Sequence, residues 1–331
     1  MPRLLTLLAL ACLAGLPAAA GAAQPVCART PSAAVTLGRL RTVLAQARFI
    51  TYEPTSLQVR DGHVREADAD SIRADLSLLR ARFDALITYD AVHGAQQIAP
   101  IAAQLKFRAL IIGVWDPLEP SEIAAALATA RAYPQLVAGV SLGNETLFSH
   151  RAEAAQLAAA FAAVRTRAPQ LPLTTTEPFH MFEAAPGSGL LPLMDFMLVN
   201  VHPVFQSWFH GADDATAAQF VVNVAEQLAR IYCGPILIKE TGMPTGPVGA
   251  GYSGQRQASF YKELRSRLPS RPLVAFSYFS AFDAPWRAQD ATGVPGPHPE
   301  EAYWGLYDSA RRPKPAVDQL APLAQDSRSR N

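Results

Sequence analysis

The amino-acid sequence predicts a single-domain α/β protein of the (β/α)8 TIM barrel class, on three observations. Eight short runs rich in Val, Ile, Thr, Tyr and Phe recur along the chain, helical stretches separate them, and no Gly/Ser/Pro-rich linker divides the 331 residues. Unbroken apolar runs are the mark of strands covered on both faces in a parallel sheet. Strand–helix alternation over this length matches an eight-unit barrel, typically ~250 residues with additions in its loops. A doubly wound open sheet is the competing α/β architecture.

Taken in order, the chain opens on MPRLLTLLALACLAGLPAAAGAA, in which one Arg, a short apolar stretch and small residues form the signal-peptide pattern. Cleavage is expected near Ala23, because the apolar run falls short of the ~18–20 residues of a membrane span. Cys12 lies too early, inside the apolar region, to be a lipid-attachment site. Residues 24–324 are then the barrel, and the polar tail QDSRSRN, residues 325–331, is expected to be disordered. The eight strand runs are FITYEP (49–54), ALITYDA (85–91), RALIIGVWD (108–116), LVAGVSLGNE (136–145), PLTTTEP (172–178), FMLVNVHP (196–203), PILIKETG (235–242) and VAFSYFSAFD (274–283). Between them, Ile72, Leu76 and Leu79 share one helical face, as do Phe220, Val224 and Leu228. The segments SEIAAALATARAY and RAEAAQLAAAFAAVRTR are helical by their alanine content. The Pro- and Gly-containing stretch from Ala284 to Glu301 reads as a long loop after the eighth strand.

Half the residues are hydrophobic, which is enough for a sizeable core, and the formal net charge is only +1. Nucleic-acid binding needs clustered Lys and Arg, so the composition points to a neutral partner and no nucleic acid. The mature chain is read as a monomer without a membrane span. Once a signal peptide is removed, Cys27 and Cys233 remain; in an exported chain two cysteines form a disulfide, the alternative being two unpaired buried thiols.

Barrel chemistry gathers at the C-terminal strand ends, where the βα loops meet. Those ends carry Tyr52 and Glu53, Tyr89 and Asp90, Trp115 and Asp116, Asn144 and Glu145, Glu177, His202, Glu240, and Tyr278 through Asp283. Such a ring suits a carbohydrate, whose ring faces stack on aromatics while carboxylates and amides bind hydroxyls. Glycosidic bond cleavage also needs two carboxyl groups, and Glu145 and Glu240 end the fourth and seventh strands, across the barrel from each other. A single strand-end Glu could equally cap a helix or pair with an Arg. For Glu177, Asp90 and Asp116, a structural anchor competes with sugar binding. Tyr52, Tyr89 and Tyr278 fit either barrel packing or the cleft, and Trp286 and Trp304 either packing or stacking. The run Gly249 to Gly254 spells G-x-G-x-x-G, but Pro244 and Pro247 separate it from its strand, so it is read as a loop. Neither H-E-x-x-H nor G-x-S-x-G occurs, which removes motif support for metal and serine hydrolysis.

Glu145 follows Gly143-Asn144, and Glu240 sits in Lys239-Glu240-Thr241-Gly242-Met243-Pro244-Thr245. With these two motifs the chain resembles glycoside hydrolase family 17, the β-1,3-glucanase-like family of clan A retaining glycosidases. Further matches, in the same order, are Thr175 to Pro178, Val199 to Pro203, Phe282 to Arg287 and Glu301 to Leu306. The resemblance implies a retaining β-glucan hydrolase with Glu145 as acid/base and Glu240 as nucleophile, needing no cofactor or metal. It implies substrate contacts from Asn144 to the 2-hydroxyl and from His202; Tyr52, Tyr89, Trp115, Glu177, Tyr278, Trp286, Glu301 and Trp304 are the further candidate substrate contacts. A transglycosylase using the same two glutamates is the alternative, and a non-catalytic sugar-binding barrel a further one. Met243 replaces the family's frequent Trp, and Ala284 and Arg287 stand where it often has Glu and Lys, so substrate preference departs from the pattern.

Overall fold

Each of the eight apolar runs forms a barrel strand, shorter than the run itself. The computed structural model describes residues 25–26, 34–60, 63–183, 189–268, 274–289 and 297–323. The expected signal peptide, Cys27 and the 325–331 tail therefore lie outside the described residues.

After α1 (Ala34–Gln46) comes β1 (Phe49–Thr51), then an antiparallel hairpin of β2 (Gln58–Arg60) and β3 (His63–Arg65). The remaining barrel strands are β4 (Ala85–Ile87), β5 (Ala109–Val114), β6 (Val137–Asn144), β7 (Leu173–Pro178), β8 (Met197–Asn200), β9 (Ile236–Glu240) and β10 (Val274–Tyr278). Pairing in the order β1-β10-β9-β8-β7-β6-β5-β4 closes the sheet, and every pair of the barrel is parallel. The barrel expectation holds and the open sheet does not. The runs overshoot because Tyr52 and Tyr89 leave the ladder yet stay buried, so their sequence looks like strand.

Among the described residues seven helices intervene: α2 (Ala69–Leu79), α3 (Ile98–Gln104), α4 (Pro120–Ala132), α5 (Ala154–Arg167), α6 (Phe179–Glu183), α7 (Asp214–Ile231) and α8 (Gly254–Arg267). Their starts are specified locally by side chains that accept otherwise orphaned N–H groups. Asp68 accepts from Ser71 at 2.7 Å, Asp213 from Thr216 at 2.7 Å and Ser253 from Arg256 at 3.2 Å. As predicted, Ile72, Leu76 and Leu79 are fully buried, as is Leu228. Phe220 lies at the edge of its helical stripe and is partly buried. The Gly249–Gly254 run is a loop ending where α8 begins, with Gly251 in the left-handed region at φ 85°.

Two packed layers result, as the architecture requires. One fills the space between strands and helices. The other fills the barrel interior with Phe49, Ala85, Ile111, Leu198 and Leu237, and against it pack Leu37, Leu40 and Leu44 of α1. Thus α1 plugs the end where the strands begin, leaving the opposite mouth free. Two clasps complete the shell: Val26 bridges Tyr232, and Arg311 reaches across to the buried Asp75 at 2.7 Å.

Candidate active site

Register, more than position in sequence, brings the two glutamates to the mouth. On β6, Ser141 pairs with Thr174 but Asn144 pairs with Thr176, so β6 holds one residue more than β7 over that span. On β9, Ile238 pairs with Val199 and Glu240 with Asn200, which makes Lys239 the extra residue. Consecutive strand residues normally face opposite sides of the sheet; a bulge bends the strand and re-aims them. Glu145 and Glu240 consequently line the same cavity, while Lys239 reaches within 3.5 Å of Glu240 Oε1.

The β6 bulge has a local cause. Gly143 has φ 91° and a Cβ there would lie 2.3 Å from Thr146 Oγ1, so only glycine fits. Glu145 itself has φ 51°, a strained conformation for a side chain with a Cβ. It is over-determined by its neighbours. Its N–H donates to Thr176 O at 2.7 Å, and its carbonyl accepts from Ser149 N at 2.9 Å. Arg151 grips the Asn144 carbonyl, and its guanidinium lies over Trp115 at 4.3 Å.

The two carboxyl groups sit in opposed fields. Burial pushes Glu145 up, and the charge of Glu240 pushes it further; Asn200 Nδ2 donates to Glu145 Oε1 at 2.8 Å. Burial also acts upward on Glu240, but His202 at 3.4 Å and the cations Lys239 and Arg287 outweigh it and hold Glu240 well below the ordinary carboxylate range. One group is thereby disposed to carry a proton and the other to stay ionised, the division of labour that acid-assisted displacement uses. Among the described residues no group of three or more His, Cys, Asp or Glu is placed to hold a metal ion.

The cavity encloses about 870 Å³. Of the residues expected to bind substrate, Tyr52, Tyr89, Trp115, Asn144, His202, Trp286 and Glu301 line it. Trp115 is 41% exposed and offers a face, whereas Tyr52 spends its hydroxyl on Asp75 at 2.9 Å. Three expectations need correction. Glu177 does not line the cavity; it is buried beneath the β6 loop, where its carboxylate accepts from Leu147 N at 2.9 Å and Phe148 N at 3.1 Å. Tyr278 packs among Phe83, Tyr261 and Phe276. Trp304 is buried behind His202 and Phe279, so it supports the wall without forming it.

Sequence reasoning assigned no role to Asn200, Lys239 or Phe205, and named Glu53 only as a strand-end carboxylate. Asn200 follows Leu198 by two, and Leu198 faces the interior, so alternation alone pointed to Asn200. Arg287, noted only as a departure, binds Glu53 Oε2 through Nε at 3.0 Å and completes the cavity wall. Phe205 is a 46% exposed aromatic on the rim, legible only once the loop is placed.

Residues 50–305 match the family described as the BtgE/BtgC glycoside hydrolase domain, and the chain belongs to that family. It is therefore a glycosidase. A glucan 1,3-beta-glucosidase of Arthroderma benhamiae is 28% identical over 267 residues, covering 75% of this chain and 84% of that one. A probable beta-glucosidase btgE of Emericella nidulans is 29% identical over 181 residues, 52% of this chain, which spans 31% of that relative's length. Among solved structures, an endo-laminarinase from Formosa superposes with TM-score 0.67 at 18% identity, over 84% of this chain and 87% of that one. An active-site mutant of a Rhizomucor miehei beta-1,3-glucanosyltransferase in complex with laminaritriose gives 0.62 at 19%, over 81% and 96%. At such identities the two structures speak for the fold.

Proposed function

We propose that this glycosidase of the BtgE/BtgC family is an exported, retaining, glycoside hydrolase family 17 enzyme that cleaves β-1,3-glucosidic bonds, with Glu145 as acid/base and Glu240 as nucleophile. One observation carries the reading: a carboxyl group pushed up and a carboxylate held down face a single cavity, with Asn200 in register with Glu240 and hydrogen-bonded to Glu145. The named activity of the Arthroderma relative, most of whose length this chain covers, supports a β-1,3-glucan as substrate.

In the first step the Glu145 proton passes to the glycosidic oxygen as that bond breaks, and a Glu240 oxygen bonds to the anomeric carbon. In the second, water attacks that carbon, its proton returns to Glu145, and Glu240 leaves as carboxylate. Asn200 steadies Glu145 in both protonation states, since its amide N–H can donate to either. Trp115 and Phe205 offer exposed ring faces to sugar units on the rim. Export is supported by the signal-peptide pattern of residues 1–23, and a Cys27–Cys233 disulfide by the bridge that sets Val26 beside Tyr232. Nothing in the composition calls for a second subunit, so a monomer is proposed.

The test is a panel of linkage-defined β-glucan oligosaccharides with products resolved by size. β-1,3-linked oligomers are cleaved by the native chain and not by Glu240→Gln; undiminished turnover in that variant overturns the assignment. Products longer than the substrate assign the second step to a sugar hydroxyl in place of water.

A further inference from the structure

Resting on Glu240 as nucleophile, we propose that Lys239 is a positioning residue that locks the Asn144 amide and the Glu240 carboxylate into one charged unit. Lys239 is 1% exposed, in the uppermost interior layer of the barrel, two residues above the interior Leu237. An ammonium taken out of water loses several kcal/mol of solvation unless anions and acceptors replace it. Here Nζ lies 2.6 Å from Asn144 Oδ1, 3.5 Å from Glu240 Oε1 and 4.0 Å from the centre of the Tyr89 ring. Leu or Met would fill that interior position without any desolvation cost.

The chemistry follows from donor counting. Lysine has three donors and no acceptor, so the Asn144 amide must present its oxygen to Nζ. Its NH2 end then faces away from Lys239 and can only donate. A substrate hydroxyl beside the anomeric carbon that meets Asn144 must therefore accept from it, which frees its own proton for a Glu240 oxygen. Lys239 thus orients the donor and, through the same atom, supplies positive charge to the nucleophile. The other groups facing Glu240 are Tyr89 from the β4 end, His202 from the β8 end, Arg287 from the turn after β10, Glu145 just past β6, and Glu53 and Glu301 on the cavity wall. Arg287 is engaged by Glu53, which leaves Lys239 as a cation shared directly between Asn144 and the nucleophile.

The experiment compares Lys239→Met and Lys239→Gln with the native chain on an aryl β-glucoside and its 2-deoxy counterpart, across pH. Removing the charge moves the acid limb of kcat/KM upward by one pH unit or more in both variants. Loss of the lock shrinks the rate ratio of glucoside to 2-deoxyglucoside at least tenfold in Lys239→Met, and Lys239→Gln, which keeps an N–H donor, restores part of it. In an Asn144→Ala background Lys239→Met leaves that ratio unchanged. An acid limb and a ratio both unmoved in a folded Lys239→Met overturn the inference; if Lys239→Met does not fold, Lys239→Gln is judged on the same acid limb. Glu240→Gln, assayed alongside, separates the cases: if it retains turnover the nucleophile assignment fails, and if it is inactive while Lys239 variants behave as native, only the Lys239 role fails.

Discussion

Glu177→Gln tests whether the loop that carries Glu145 is anchored from below. Glu177 is fully buried, and burial pushes its carboxyl from 4.5 up to about 7 against the two N–H groups it accepts. Because the folded value is raised, the folded state holds a proton that the unfolded chain releases. The stabilisation is complete below about 4.5 and is lost as pH rises through about 7, an amplitude of about 3 kcal/mol. Glutamine does not titrate, so the variant lacks that decline. It also brings one acceptor oxygen to two donors, leaving one buried N–H against an amide, at about 1–3 kcal/mol at every pH. Urea denaturation of both proteins at pH 4.5, 6 and 8 measures the difference directly. Relative to the native chain the variant gains about 3 kcal/mol between pH 4.5 and pH 8, so its deficit of about 1–3 kcal/mol closes or reverses at pH 8 if the assignment is right; a difference independent of pH refutes it. Turnover falls in the variant as well, since a displacement near 1 Å at a reacting group costs roughly 10²-fold.

Three further outcomes are expected. Gly143→Ala places a Cβ 2.3 Å from Thr146 Oγ1 at a φ of 91°, so it lowers thermal stability and turnover together, and Gly143→Ala/Thr146→Ala recovers part of the stability. Glu145→Ala slows cleavage of laminari-oligosaccharides by roughly 10²–10⁴-fold. A dinitrophenyl glucoside, whose leaving group needs no proton, still releases its phenol in a pre-steady-state burst; equal slowing of both would remove the acid role. The intact mass of the exported protein begins at residue 24 and gains two hydrogens on reduction, whereas an unchanged mass excludes the Cys27–Cys233 disulfide.

The barrel was legible because double-sided burial writes unbroken apolar runs, and all eight became strands. The hairpin of β2 and β3 was passed over although Gln-Val-Arg and His-Val-Arg alternate around Asp61-Gly62, because its three-residue strands are largely exposed and carry one apolar residue each. The α1 plug was passed over although Leu37, Leu40 and Leu44 recur at helical spacing. At the site, residue type and strand-end position were enough for Glu145, Glu240, Asn144 and Trp115 to be placed at one cavity. They were not enough for Glu177 and Tyr278, because a strand-end side chain faces either the mouth or the helices and composition does not say which, nor for Trp304, whose place depends on the loop after β10. Lys239 is a charge within an apolar run whose direction only the β9 bulge discloses.

The central claim, a covalent displacement at Glu240 assisted by Glu145, meets its most direct test in the anomer released first from a laminari-oligosaccharide, followed by proton NMR before mutarotation. The β anomer is expected to appear first with the native chain, with no product from Glu240→Gln. First appearance of the α anomer would mean a single inverting displacement and contradict the mechanism.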